Sequence, residues 1–185
     1  DSEFEKALEV SSPADRTLLE AAREPILAPW DAVAQSRTPV LLIHGDLHVG
    51  QVLRSDQHEL FVVDFDGNPI VPFEQRTQWQ SPAADVAGMA QSIVHAGLVL
   101  ARLEPDLAVA AQKAVEISVS TYLATVRDGL QAAGLRDLLD DRLIQPFRLR
   151  QVVREFSYAA QHLQRWLYVP RAALPLLLNH DQGRL

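Results

Sequence analysis

The sequence contains no cysteine. This excludes a disulfide framework, a thiolate metal site and any thiol nucleophile, and it suits a reducing, cytoplasmic setting. Glycine (8) and proline (11) are too few for a fibrous or disordered chain. Basic charge is in deficit: 17 Lys and Arg against 24 Asp and Glu leave a net charge of −7. That balance argues against nucleic acid or an anionic membrane as the main partner and is more at ease with small or cationic ligands. The start, Asp1-Ser2-Glu3-Phe4-Glu5-Lys6, lacks the basic residues and apolar core of a signal peptide. It also lacks an initiator Met, so we expect a piece of something longer. The uncharged run from Val86 to Ala101 holds Gln91, Ser92 and His95 and falls short of the ~20 residues of a membrane span. It reads as a buried helix.

What is present is 185 residues with an apolar fraction of 48%, enough for one ordinary domain with a real core. Residues 13–36 read as two helices, Ser12-Pro13 and Glu24-Pro25 each placing proline at a helix start. Val40-Leu41-Leu42-Ile43 reads as a short buried strand. Val52-Leu53-Arg54 and Leu60-Phe61-Val62-Val63 flank a polar stretch, the pattern of a hairpin. Residues 67–80, with Gly67, Pro69 and Pro72, read as a loop. Ser81 then caps a helix with Pro82 at its first position and a stripe of Val86, Met89, Ile93, Gly97 and Leu100. Pro105 restarts a helix that carries Val115, Val119, Tyr122 and Val126 and stops at Gly134. Pro146 breaks the next segment. After it, Leu149, Val153, Phe156, Ala160, Leu163 and Leu167 predict one long helix, and a last helix lies near 171–180. The fold class is therefore α+β and predominantly helical, with a small antiparallel β element around residues 40–64.

The residues richest in chemistry are His44-Gly45-Asp46-Leu47-His48-Val49-Gly50-Gln51, followed by Asp64-Phe65-Asp66-Gly67. A hairpin turn centred on residues 57 and 58 pairs Val52 with Val63 and Gln51 with Asp64, with Cα atoms roughly 4.5–5.5 Å apart. Two oxygen ligands then meet at the hairpin mouth, where a hard cation such as Mg²⁺ can bind. Asp46 sits in the loop entering that mouth. An alternative use of the same loop is a transition-metal hydrolase site built from His44, Asp46 and His48. Asp85, in the first turn of its helix, reads as a residue placed by the helix dipole. Glu155, Tyr158, His162 and Trp166 recur at helical spacing as one row, either solvated or suited to a sugar ring stacked on aromatics beside a carboxylate.

His-x-Asp with an amide five residues after the Asp, and a further Asp at a hairpin end, resembles the catalytic half of eukaryotic-like kinases of the aminoglycoside phosphotransferase type. Gln51 in place of the usual Asn, together with Asp64-Phe65-Asp66-Gly67-Asn68-Pro69 and Ser81-Pro82-Ala83-Ala84-Asp85-Val86-Ala87-Gly88-Met89, looks like the actinobacterial maltokinase and glucosamine kinase group. The resemblance covers roughly residues 38–180. It implies a protein-kinase-like C-lobe, with residues 1–185 as a single C-terminal lobe. It implies Asp46 as the catalytic base, Gln51 and Asp64 as ligands of Mg²⁺ that bridges ATP phosphates, and His44 as a brace of the loop, with His48 supporting. Asp66, with the tail Trp166-Leu167-Tyr168-Val169-Pro170, looks more like the glucosamine kinases, so Asp66, Glu155 and Trp166 are expected to bind the sugar.

Such a kinase also needs a nucleotide-binding lobe with a lysine at the phosphates. Lys6 and Lys113 are the only lysines, neither on a strand pattern, and no Gly-rich phosphate loop occurs. The expected partners are thus a sugar, ATP with Mg²⁺, and an N-terminal lobe of the same enzyme. A non-catalytic, pseudokinase-like binding lobe is the remaining alternative.

Overall fold

A computed structural model describes residues 2–68, 71, 73–76 and 78–182. In chain order the elements are α1 (Ser2–Val10), α2 (Pro13–Ala21), α3 (Arg23–Gln35), β1 (Val52–Arg54), β2 (Leu60–Val62), α4 (Phe73–Arg76), α5 (Ala83–Leu103), α6 (Ala108–Ala132), α7 (Ile144–His162) and α8 (Tyr168–Gln182), with short 3₁₀ turns between several of them. They fall into two compact units, one of residues 1–36 and 145–185 and one of residues 37–144.

The first unit is all helix. Leu149, Val152, Val153, Phe156 and Ala159 follow the three-and-four spacing of one helical face and are buried, with Phe4, Leu19, Ile26, Val169 and Leu174 also in the core. Ion pairs fix the shorter helices to this centre. Asp15, 2% exposed at its side chain, takes both Nε and Nη2 of Arg171 at 2.5 and 2.8 Å. Glu3 takes Arg150 at 2.5 Å and Arg154 at 2.8 Å. Burial alone would raise the Glu3 pKa, but the two guanidiniums together outweigh it and hold the group at about 2. Ser12 caps α2, accepting the Asp15 amide, with Pro13 at the first helical position as expected. Pro146 lies in the first turn of α7 and does not break it, since a first-turn residue has no intrahelical N–H partner to lose.

In the second unit β1 and β2 form an antiparallel hairpin, with Val52 opposite Val62 and Arg54 opposite Leu60. The register differs by one residue from the expected pairing because His58 turns through a left-handed φ of 66° and shifts the centre of the turn. The strand expected at 40–43 does not form. Leu41 makes a lone bridge to Gln80, while Val40 and Leu42 are exposed, so an apolar run without a partner strand stays extended. The loop expected at 67–80 contains the single-turn helix α4; Pro69 and Pro72 lie outside the described residues.

Helix α5 reaches 21 residues and, among the described residues, is long and apolar enough to cross a membrane by length and composition. Its core face, however, carries polar groups: Gln91 and His95 are buried, Nε2 to Nε2 at 2.9 Å. The buried face runs through Ala83, Ala87, Ala90 and Val94 and includes Met89 of the expected stripe, while Leu100 is exposed. α5 packs closely on α6, where a Cβ at Gly97 would lie 2.2 Å from Val115 Cγ2. Gly134, at φ 70°, ends the α6 segment as expected, and the Leu135 N–H returns to the Leu130 carbonyl at 2.8 Å.

Candidate active site

The loop 44–46 is held by its backbone. His44 is buried, and its amide and that of Gly45 donate to the two carboxylate oxygens of Asp85 at 2.7 and 2.9 Å. The His44 ring reaches the other way, Nε2 lying 2.8 Å from the Val63 carbonyl. A carbonyl only accepts, so Nε2 carries the proton and Nδ1 is left to accept the Asp46 amide at 3.3 Å. One tautomer thus ties the end of the hairpin to the loop, and Phe65 covers the ring with centroids 4.7 Å apart. Gly45 has φ 79°, and a Cβ there would lie 3.3 Å from the Gly67 Cα. Glycine is required because two backbones meet.

Asp46 is half-buried, and its Oδ1 accepts Asn68 Nδ2 at 2.9 Å. Burial pushes its carboxyl above the usual range, the Asp64 charge adds to this, and His48, Asn68 and His44 pull it back. A carboxylate with a raised pKa is a stronger acceptor for a hydroxyl proton.

At the hairpin mouth Gln51 Nε2 donates to Asp64 Oδ2 at 2.8 Å. The encounter expected from sequence occurs, but by another route. Val63 faces Gln51, its N–H bonding the Gln51 carbonyl, and Asp64 follows at a left-handed φ of 67° that turns its carboxylate to the amide. Gln51 and Asp64 are the residues that would hold a hard cation here: with the amide rotated, Oε1 would stand where Nε2 now lies, beside the Asp64 carboxylate. Both donors are hard oxygens, and waters with phosphate oxygens commonly complete such a site.

Sequence reasoning missed the support from α5. Asp85 does more than follow the helix dipole, since it carries the two loop amides. Burial raises its pKa against the lowering effect of those amides, and burial with the Asp85 charge pushes the Tyr122 hydroxyl to about 12. One turn on, a Cβ at Gly88 would lie 2.9 Å from the Leu47 carbonyl, and Ser92 Oγ accepts the Val49 amide at 3.0 Å. Residues 85, 88 and 92 share one helical face, a spacing that marked them in the sequence once a loop was sought for that face to hold.

His48 is a local brace, Nδ1 accepting the Gly50 amide at 3.1 Å. With both His44 nitrogens engaged as well, His44, Asp46 and His48 do not assemble as a ligand set. Among the described residues no three His, Asp or Glu side chains come together to hold a metal, so nothing in the geometry favours the hydrolase alternative. Asp66 is exposed in the turn before Gly67. Glu155 and Trp166 belong to the other unit. Glu155 on α7 accepts Gln151 Nε2 at 3.2 Å. Trp166 is not on that helix: α7 ends at His162, and Trp166 sits in the 3₁₀ turn Gln164–Trp166 with its ring 6.0 Å from that of Tyr168. The expected four-residue row is therefore broken, Tyr158 and His162 alone keeping ring contact at 5.2 Å.

No family model matches the chain. It is 43% identical over 181 residues to the glucosamine kinase of Mycolicibacterium smegmatis, an alignment spanning 97% of this chain and 44% of that protein. The chain is similar to part of a glucosamine kinase. A second such enzyme, from Streptacidiphilus jiangxiensis, is 44% identical over 154 residues, 83% of this chain and 34% of the relative. A solved glucosamine kinase in complex with glucosamine, ADP and inorganic phosphate superposes with a TM-score of 0.92 at 37% identity, over 98% of this chain and 46% of that one. Another crystal form gives 0.91. The chain thus spans less than half the length of the glucosamine kinases it matches.

Proposed function

We propose that residues 1–185 are the C-terminal lobe of an ATP-dependent sugar kinase whose substrate is glucosamine. The observation that carries this reading is the pairing of Gln51 with Asp64 beside a braced, half-buried Asp46, in a chain 43% identical to a glucosamine kinase. Phosphoryl transfer asks a protein for position and charge neutralisation, with little covalent chemistry. Asp46 orients the attacking hydroxyl and accepts its proton. Gln51 and Asp64 hold Mg²⁺, which when bound neutralises the nucleotide phosphates. His44 and His48 keep the loop in shape. Asp66, Glu155 and Trp166 are proposed as sugar contacts of the full-length enzyme, either acid suiting an ammonium and the indole a ring face. The lobe that cradles ATP lies in sequence outside these residues, and the substrates are those of the cytoplasm.

The test is a panel of glucosamine, glucose, maltose and an aminoglycoside with the full-length enzyme and Mg-ATP. A charged hydrogen bond to the amine corresponds to a tenfold to hundredfold preference, at roughly 1.5–3 kcal/mol. We expect glucosamine to lead glucose by that factor. Preference for maltose or the aminoglycoside would replace the substrate, equal use of glucose would remove the amine contact, and no transfer to any acceptor would leave a binding lobe.

A further inference from the structure

The geometry points to Asn68 as the positioning residue that fixes which oxygen of Asp46 meets the acceptor hydroxyl. This rests on the kinase reading above and adds a residue that the general kinase pattern of His-x-Asp and hairpin Asp leaves without a role.

A carboxylate used as a base offers two equivalent oxygens on a side chain with two rotatable bonds. Only one arrangement puts a lone pair on the hydroxyl in line with the phosphorus, and holding it there is worth more than the base strength itself. In this structure Asn68 Nδ2 sits 2.9 Å from Asp46 Oδ1. An amide N–H donates and a carboxylate accepts, so the contact is charge-assisted and pins Oδ1. Oδ2 is the oxygen it leaves to the substrate. The rest of the residue is already fixed, because the Asp46 N–H is held by His44 Nδ1 and the preceding Gly45 N–H by Asp85. Asn68 thus supplies the one restraint that the backbone contacts cannot, on the side-chain torsions.

Placement makes the contact specific. Asn68 lies four residues beyond Asp64, on the far side of the Gly67 turn, whose φ is 75°. Gly45 and Gly67 meet backbone to backbone one residue before Asp46 and one before Asn68, so the two side chains leave a common crossing point on adjacent strands of chain. The base and the hairpin-end carboxylate are thereby connected through five residues, Asp64 to Asn68, and one hydrogen bond.

The test uses full-length enzyme with Asn68→Leu, which keeps the shape and loses the donor, and Asn68→Gln, which keeps the donor on a longer arm. For Asn68→Leu we expect kcat to fall about 10- to 100-fold, equal to roughly 1.4–2.7 kcal/mol at 1.36 kcal/mol per tenfold. KM for ATP and for the acceptor should stay within about threefold, and Asn68→Gln should recover part of the loss. Unchanged kcat in Asn68→Leu would overturn the assignment. So would a loss shared equally by both variants with a lowered melting temperature, since that describes a fold contact. The acceptor is whichever sugar the panel selects, so a wrong substrate leaves the comparison intact. A crystal structure of Asn68→Leu reads the proposal without turnover: Asp46 should adopt a second rotamer, and an unmoved carboxylate would refute it.

Discussion

Replacing Asp85 with asparagine separates support of the loop from chemistry in the loop. The carboxylate accepts from His44 N–H at 2.7 Å and Gly45 N–H at 2.9 Å. An asparagine presents one acceptor and one NH₂, so one loop amide keeps its partner while the other faces a donor. A buried amide left unsatisfied costs about 1–3 kcal/mol. Against this, burial already raises the Asp85 pKa, so the wild-type carboxylate is itself held at a cost. Asp85→Asn should still be less stable than wild type by about 1–3 kcal/mol at neutral pH, where the ionised carboxylate accepts both loop amides. Because Asp46 follows the released amides directly, a shift of about 1 Å in the base is expected to lower kcat on the order of 100-fold with little change in KM. Hydrogen exchange gives the local readout, with loss of protection at His44 and Gly45 ahead of the α5 interior. Wild-type protection at both amides together with wild-type kcat would refute the reasoning.

Four further outcomes are expected. Asp46→Asn should lower turnover by about 10²–10⁴; its pKa is raised by burial, so its ionised form costs stability above the folded pKa, and the variant should melt at or above the wild-type temperature at pH 7. Asp64→Asn should fold normally, since asparagine tolerates the left-handed φ of 67°, but should need at least about tenfold more Mg²⁺ for half-maximal turnover. Glu3→Gln should cost about 1–2 kcal/mol at pH 7 after allowance for the partial exposure of the pair. Its folded pKa of about 2 lies below the ordinary 4.5, so denaturation should show this difference vanishing as pH falls from 4.5 toward 2. Gly88→Ala places a Cβ against the Leu47 carbonyl, a backbone atom, and should cost about 1–3 kcal/mol in stability and reduce kcat as the loop yields.

The helices were legible because their caps and breakers are local. Ser12-Pro13 and Gly134 each act within one turn, and each does in the structure what its residue type predicts. The strand at 40–43 was not, because pairing depends on a partner that a single apolar run does not specify; Gln80 offers only one bridge. The hairpin was legible as a hairpin but not in its register. A histidine in the left-handed region carries no sequence mark of the kind that Asn-Gly provides. That Gln51 and Asp64 nevertheless meet is owed to a second left-handed residue, Asp64 itself, which compensates for the shifted turn. Trp166 was misplaced for a related reason: the apolar period continues past His162 while the backbone tightens into a 3₁₀ turn, and periodicity does not register a change of helix type.

The scarcity of lysine now has a physical reading at the site. The Asp64 charge already acts on Asp46, and on the proposed reading a nucleotide would add the negative charge of its phosphates. Neither Lys6 nor Lys113 is near in sequence, and both are exposed. On that reading, a phosphate chain alone would be repelled; Gln51 and Asp64 would hold a divalent ion that supplies neutralising charge, and further cations would come from the other lobe. The raised pKa of Asp46 fits the same balance. Burial and the Asp64 charge both favour the protonated form of Asp46, and a cation held at Asp64 would offset the second of these and favour the ionised carboxylate. On the proposed reading, the strength of Asp46 as a base would depend on what occupies the Gln51–Asp64 pair.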